Sequence, residues 1–96
     1  MDRKQITLII KRHLPDLKRE FSVRSLGLFG SYARDDAGKR SDVDILVEFD
    51  VVPGLFEFIE LENRLGELLG KKVDLVMKDA LKPAIGKFIL EEVIPL

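Results

Sequence analysis

The stretch from residue 43 to residue 77 limits the possible folds most, because a helical segment separates two strand-like segments. Residues 43 to 49 and 73 to 77 alternate apolar with polar side chains, as half-buried strands do. Between them, residues 55 to 69 place their apolar side chains on roughly half of a helical wheel. A strand, a helix of about four turns and a second strand form a βαβ unit, in which the two strands run parallel. The side chains expected to be buried are Val43, Ile45, Val47 and Phe49 of the first strand, and Leu55, Phe58, Ile59, Leu61, Leu65, Leu68 and Leu69 of the helix.

The N-terminal part of the chain predicts a helix followed by another strand. Asp2 and Gln5 have the spacing of a capping box, and apolar residues then recur at helical intervals over residues 6 to 21. Pro15 removes one backbone donor, so we expect a kink or a restart of the helix there. The next apolar segment predicts a strand that ends at Gly30.

The C-terminal part predicts a last helix. Gly70 suits the end of the preceding helix, and residues 79 to 83 predict a turn. Ile85, Phe88 and Ile89 then predict an amphipathic helix whose apolar side is buried, before a short apolar tail. We therefore predict an α/β (α+β) fold in which helices flank a small mixed β-sheet.

Length, charge and cysteine content exclude several classes of protein. The 96 residues suffice for one core, and we expect residues 1 to 96 to form a single domain. A net charge of −1 with mixed signs provides neither the basic cluster that binds nucleic acid nor an attraction to anionic membranes. The chain has no cysteine for a disulfide or a thiolate metal site, and no apolar run approaches the about 18 residues of a membrane span. We expect a soluble protein of the cytoplasm.

Three aspartates are predicted to converge at one end of the sheet. Asp42 and Asp44 are two residues apart and so lie on one side of their strand, opposite its better apolar side. Asp74 stands near the start of the next strand, which runs parallel to the first. The strand before them is connected too briefly for a parallel crossover, so we expect it to run antiparallel and to bring Gly30 and Ser31 to the same end.

The chemistry of this cluster favours a divalent cation and a phosphate ligand. Carboxylates repel one another and are costly to bury without a counter-ion, and oxygen ligands favour Mg²⁺. Because Mg²⁺ keeps waters and binds substrate phosphates, we expect Asp42 and Asp44 to hold it beside a nucleoside triphosphate. Gly30 allows the backbone to approach a phosphate, and Ser31 offers a hydroxyl and backbone N–H groups. Asp74 could complete the coordination or accept a proton from an attacking hydroxyl.

These residues resemble the signature of minimal nucleotidyltransferases, the small members of the polymerase-β-like superfamily. The signature is Gly30-Ser31, ten intervening residues, the triplet Asp-Val-Asp at 42 to 44, and an acid on a later strand. The segments FGSYAR, SDVDILVEF, KKVDLV and ILEEV extend the resemblance over nearly the whole chain. One departure is visible, because many members have glycine after GSYAR where this chain has Asp35. The conformation and charge of the connecting loop therefore stay open.

The resemblance implies a fold, a reaction and a partner. It implies a mixed sheet flanked by helices, Mg²⁺ held by Asp42 and Asp44 with Asp74 as a further ligand of one or two ions, and ATP phosphates held by Gly30 and Ser31. It also implies that the three aspartates are catalytic and that a nucleoside monophosphate is transferred. Many such domains are antitoxins that adenylylate a tyrosine of a HEPN-domain toxin, which implies a partner of that kind.

Simpler interpretations apply to each residue taken alone. The Gly-Ser turn would by itself end a strand, and the aspartates would by themselves form a solvated strand entrance; their joint spacing favours a site. Arg34, Lys39 and Arg40 receive no role, because surface solvation explains each of them equally well. His13 lies on a charged helical segment and is expected to be solvated.

Two functional classes remain open from the sequence. The first is an enzyme that moves AMP from ATP onto a protein hydroxyl, and the second is a non-catalytic nucleotide-binding module that neutralises a partner by contact. In both cases we expect another molecule to complete the site, because so small a domain has no second domain to enclose a substrate. Phe56 lies outside the apolar stripe of its helix and is a candidate contact for a partner protein. Assembly into a homo-oligomer stays open.

Overall fold

The computed structural model describes all 96 residues, Met1–Leu96, as one four-stranded β-sheet flanked by helices. The helices are α1 (Arg3–Phe21), α2 (Gly30–Ala33), α3 (Leu55–Leu69) and α4 (Pro83–Glu92). The strands are β1 (Val23–Phe29), β2 (Val43–Phe49), β3 (Val73–Met77) and β4 (Ile94–Pro95), and a 3₁₀ turn at Lys78–Ala80 follows β3. None of the helices has the length and apolar character needed to cross a membrane.

The sheet has the strand order β3-β2-β1-β4 and the mixed topology that the sequence predicted. β1 runs antiparallel to β2, and β2 runs parallel to β3 across the α3 crossover, which confirms the predicted fold class. The pairing of β4 with β1 was not predicted. Ile94 and Pro95 pair antiparallel with β1, and Leu96 N–H donates to the Leu26 carbonyl oxygen at 2.9 Å. A two-residue strand that contains proline has no alternation for sequence analysis to detect.

The core lies between one face of the sheet and the helices α1 and α3. Val43, Ile45 and Val47 point into this layer and are fully buried, which confirms the predicted buried side of β2. Burying an aliphatic side chain stabilises the fold by about 1.5–3 kcal/mol, so this layer dominates the stability. The helices contribute Ile6, Ile10 and Leu17 from α1, and Leu61, Leu65 and Leu69 from α3.

Helix α1 begins as the sequence predicted but does not restart at its proline. Asp2 Oδ1 accepts the Gln5 N–H at 2.9 Å, and Gln5 Oε1 accepts the Asp2 N–H at 2.9 Å, which completes the capping box. The helix then continues through Pro15, so the expected restart is wrong. Ile10 and Leu17, on either side of the proline, are both buried in the core. Their packing keeps the two halves in one helix despite the missing donor.

The apolar side of α4 is largely exposed, which corrects the prediction that it belongs to the core. Ile85 is 57% and Phe88 is 73% exposed, whereas Ile89 is half-buried. The core face of the sheet is already covered by α1 and α3, so α4 buries only a narrow side. Gly86 provides that side, since a Cβ there would lie 3.2 Å from Leu81 Cβ.

The first turns of α3 are also more exposed than the sequence predicted. Leu55 and Ile59, which we expected in the core, are 70% and 41% exposed, whereas Phe58 between them is half-buried and packs against Phe49 of β2. Phe56, which the sequence placed outside the buried stripe, is 86% exposed. Val51 and Val52 in the preceding loop are exposed as well. We refer to these five exposed residues as the α3 apolar patch.

Candidate nucleotide and metal site

Three adjacent strands bring the predicted site residues together at one end of the sheet. Phe29 at the end of β1 pairs with Asp44 of β2, and Asp44 pairs with Asp74 of β3. Gly30 follows directly after Phe29, so it lies next to the row that Phe29, Asp44 and Asp74 form across the sheet. Because neighbouring strands lie about 4.8 Å apart, the two aspartates are adjacent. Asp42, two residues before Asp44, lies at the same end.

Gly30 is required at the end of β1 for two independent reasons. Its φ of +74° lies in the left-handed region that residues with a side chain rarely adopt. A Cβ at this position would also overlap Asp44 Oδ2 and lie 2.9 Å from Asp44 Cγ. The turn therefore keeps the Asp44 carboxylate directly against the backbone of Gly30.

Asp44 is half-buried, and its surroundings raise the pKa of its carboxyl above the ordinary value. Burial is the main cause, followed by the negative charges of Asp74 and Asp42, and Glu92 adds a smaller contribution of the same sign. The Arg34 guanidinium lowers the pKa of Asp44 but does not offset the other contributions. The site end of the sheet therefore carries an excess of negative charge.

The donor set fits a hard cation that the protein holds only in part. No group of three acidic or histidine side chains is arranged so as to hold a metal ion alone. Asp42 and Asp44 are half-buried oxygen donors, whereas Asp74 is exposed. Mg²⁺ suits such a site, because it commonly binds one or two carboxylates and takes waters and substrate phosphates as its remaining ligands. The raised pKa of Asp44 agrees with this fit, since a cation would relieve the repulsion among the carboxylates.

The Gly-Ser turn continues into α2 and a loop whose conformation the sequence left open. Ser31 is half-buried, and its carbonyl oxygen accepts the Asp36 N–H at 3.0 Å, which folds the loop back onto α2. Asp35 adopts a φ of +62°, a left-handed conformation that glycine adopts readily. Aspartate is one of the few other residues that visit this region routinely. Asp35 therefore has the backbone conformation that a glycine could adopt, and it adds a negative charge to the loop.

Sequence analysis missed Glu92, which reaches the site from the last residue of α4. Gly30 N–H donates to Glu92 Oε1 at 2.9 Å, and Arg34 Nη1 donates to Glu92 Oε2 at 3.1 Å. Glu92 is 62 residues from Gly30 along the chain. Because the preceding residue, Glu91, is also a glutamate, the sequence offers no pattern that would distinguish Glu92 as the site residue. The structure also gives Arg34, which the sequence left without a role, a partner at the site.

The other charged residues considered in the sequence stay apart from this cluster. Lys39 and Arg40 are exposed in the loop before β2, and His13 is half-buried on α1. None of the three takes part in the ion pairs of the structure. Their positions therefore assign no functional role to these three residues.

Comparison with known proteins identifies the family of this chain. The family model described as nucleotidyltransferase domain matches residues 10–96. The chain belongs to this family. The protein adenylyltransferase MntA of Thermococcus cleftensis is 51% identical over 90 residues, which cover 94% of this chain and 91% of that relative.

Solved structures extend the comparison to the fold. A protein assigned as a minimal nucleotidyltransferase superposes with a TM-score of 0.85 at 33% identity, covering 100% of this chain and 97% of that chain. A toxin–antitoxin structure with AMP-PNP has a TM-score of 0.71 at 21% identity, covers 99% of this chain and 72% of that chain, and shares the fold alone. The predicted nucleotidyltransferase fold and the resemblance to minimal nucleotidyltransferases are confirmed, and the protein is a nucleotidyltransferase.

Proposed function

We propose that this chain is an antitoxin that transfers AMP from ATP to a tyrosine of a HEPN-domain toxin. The relative from Thermococcus cleftensis bears the name protein adenylyltransferase. A structure of the same fold, at 20% identity, is a complex of a tri-AMPylated HEPN toxin of Shewanella oneidensis with an MNT antitoxin. The observation that carries the proposal is the placement of Gly30 against Asp44 and of Asp44 beside Asp74, because it sets a backbone position without a side chain beside two carboxylates.

The proposal treats residues 1–96 as one minimal nucleotidyltransferase domain in which Asp42 and Asp44 hold Mg²⁺. When bound, the ion supplies neutralisation of the charge on the triphosphate. Gly30 and Ser31 hold the phosphates, since Gly30 has no side chain to keep a phosphate from its backbone and Ser31 adds a hydroxyl. Asp74 is exposed on the edge strand β3, where it either ligates a second ion or accepts the proton of the attacking hydroxyl.

The proposed reaction replaces one bond at the α-phosphorus of ATP by another. The tyrosine oxygen bonds to the α-phosphorus, the bond from this atom to the bridging oxygen of the β-phosphate breaks, and pyrophosphate leaves with that oxygen. The phenolic proton passes to Asp74 or to water. Correct alignment of the tyrosine and the α-phosphate accounts for much of the rate in such transfers. Since the donor is ATP, we place the reaction in the cytoplasm.

The surface of the chain suits a protein acceptor better than a nucleic acid. Binding to a nucleic-acid backbone draws on clustered Lys and Arg, whereas this chain has a net charge of −1 with mixed signs. The α3 apolar patch, in contrast, exposes five apolar side chains within residues 51 to 59. Exposed apolar patches of this kind mark protein interfaces. We therefore assign the patch to the toxin partner, and a homo-oligomer is the competing occupant.

A second candidate function is a module that neutralises its partner by contact alone. The observation that favours it is the Glu92 carboxylate, which already accepts the Gly30 N–H at 2.9 Å. If this contact persists, the Gly30 N–H is closed to a phosphate. The nucleotide site would then be a remnant, and the α3 apolar patch would carry the function.

A transfer assay with two labelled forms of ATP separates the two candidates. The chain is mixed with a HEPN-domain protein encoded beside it, Mg²⁺, and ATP labelled on either the α- or the γ-phosphate. AMP transfer predicts labelled HEPN protein from the α-label only. Label from the γ-phosphate would indicate phosphorylation instead. Absence of label from both, with the toxin still neutralised, would establish the module that acts by contact.

A further inference from the structure

We propose that Glu92 is an internal competitor of the nucleotide, occupying with its carboxylate the place that a phosphate of ATP takes between Gly30 and Arg34. The inference rests on the proposed function, because it concerns the entry of ATP into the same site. It assigns a regulatory role to Glu92.

The contacts of Glu92 are those of a bound anion. Its Oε1 accepts the Gly30 N–H at 2.9 Å, and its Oε2 accepts Arg34 Nη1 at 3.1 Å. One carboxylate thus receives a backbone amide and a guanidinium together. These two donor types are also the ones with which proteins bind phosphate, through charge-assisted hydrogen bonds.

The Gly30 N–H cannot serve Glu92 and a phosphate at the same time. Both acceptors are anionic oxygens, and they would repel each other at a single donor. Asp44 lies against the Cα of Gly30, where an added Cβ would overlap its Oδ2. A phosphate that contacts an ion at Asp44 and also the Gly30 N–H therefore has to displace Glu92.

The contact of Glu92 with Gly30 and Arg34 can be exchanged for a contact with phosphate without unfolding the site. The Arg34 side chain is 51% exposed and the Glu92 side chain 26%, so solvent screens this partly exposed ion pair and limits its contribution to stability. Glu92 is the last residue of α4, so its side chain can leave Gly30 without opening the helix. Arg34 stays next to the vacated position, where its Nε also donates to Asp36 Oδ2 at 3.3 Å, and its Nη1 then pairs with the incoming phosphate. Glu92 then moves towards solvent, away from the other acids.

Glu92→Gln and Glu91→Gln form a matched pair of variants for testing this proposal. Both remove one negative charge near the end of α4, but only Glu92 contacts Gly30, and Glu91 is exposed. We would measure ATP affinity by calorimetry with and without Mg²⁺. Loss of the charged competitor predicts about threefold to tenfold tighter ATP binding for Glu92→Gln, the range expected for one hydrogen bond to a charged group in a partly exposed site. Glu91→Gln should bind as the wild type does.

Three further measurements make the test decisive. Glu92→Asp keeps the charge but shortens the side chain, so it should also bind ATP more tightly if reach to Gly30 is what matters. Arg34→Gln should weaken ATP binding. In NMR spectra, the Gly30 amide signal should shift in nucleotide-free Glu92→Gln, and ATP should shift it in the wild type.

The outcomes distinguish a competitor of the nucleotide from a purely structural contact that holds the Gly30 turn. A structural contact predicts equal or weaker ATP binding in Glu92→Gln together with a lower melting temperature. This result would overturn the inference while leaving the proposed function intact. Absence of ATP binding in the wild type and in every variant would overturn the proposed function, and this inference with it. Tighter binding in Glu92→Gln, with an unchanged Glu91→Gln, supports both.

Discussion

Replacing Gly30 by alanine tests the geometry of the site with a single methyl group. An L-residue with a side chain costs about 1–2 kcal/mol in the left-handed conformation, and Gly30 has a φ of +74°. The new Cβ would also overlap Asp44 Oδ2 and lie 2.9 Å from Asp44 Cγ. Asp44 therefore has to leave its rotamer, which costs about 0.5–1.5 kcal/mol more. Gly30→Ala should lower the free energy of unfolding by about 1.5–3.5 kcal/mol in total.

Two other glycines separate the backbone cost from the contact with Asp44. Gly70 has a φ of +65° and no atom within 4 Å of an added Cβ, so Gly70→Ala carries the backbone cost alone. Gly38 lies outside the left-handed region and would bring its Cβ only to 3.9 Å from Ser41 Oγ. Gly38→Ala should be neutral or stabilise by about 0.4–1 kcal/mol through the unfolded chain.

Urea unfolding and Mg²⁺-dependent ATP binding are measured for the three variants and the wild type. Gly30→Ala should lose more stability than Gly70→Ala, and it should also bind ATP more weakly because Asp44 has moved. Gly38→Ala and Gly70→Ala should keep the wild-type affinity for ATP. If Gly30→Ala costs no more than Gly70→Ala and binds ATP normally, Asp44 does not lie against Gly30 and the described site is wrong.

Three further predictions concern the acids and the α3 apolar patch. Because the pKa of Asp44 is raised in the fold, its stabilising contribution is present at low pH and is lost as the pH rises through that pKa. Asp44→Asn should therefore raise the free energy of unfolding at pH 7 without metal, and the gain should fade as the pH falls to about 4; a gain of the same size at both values would contradict this. Asp74→Asn should slow AMP transfer strongly with a smaller effect on ATP affinity, and a normal rate would remove Asp74 from the mechanism. Phe56→Ser should weaken binding of the HEPN partner in a titration without lowering the melting temperature. Leu8→Ser, at an exposed position of α1, should bind the partner as the wild type does. Equal affinities of the two variants for the partner would exclude the patch from the interface.

The parts of the molecule that the sequence predicts are those governed by local patterns. Alternation over residues 43 to 49 determines which side of β2 is buried, because successive strand residues point to opposite faces. The short link after Gly30 and the helix after β2 determine strand direction, because parallel neighbours need a long crossover. Together these rules were enough to place Gly30, Asp44 and Asp74 at the same end of the sheet, as the register shows.

The parts that the sequence does not predict depend on partners that are distant along the chain. The apolar positions of α4 have a helical period, but the period does not say whether a sheet face is left to cover them, and Ile85 and Phe88 remain exposed. Glu92 meets Gly30 only because α4 ends beside the site, a docking that no local pattern encodes. Pro15 is tolerated for a similar reason, since core packing on both sides of it outweighs a lost hydrogen bond.

The intact mass of the HEPN partner after incubation with the chain, ATP and Mg²⁺ tests most directly whether Asp42 and Asp44 carry AMP transfer. The wild type is compared with Asp42→Asn/Asp44→Asn and with Asp16→Asn/Glu20→Gln, which removes two charges at exposed positions of α1. We predict that the wild type and the control add one or more AMP units to tyrosine and that the aspartate variant adds none. If the folded Asp42→Asn/Asp44→Asn variant neutralises the toxin as well as the wild type, and no mixture shows a change in mass, the chain acts by contact and the enzyme interpretation is wrong.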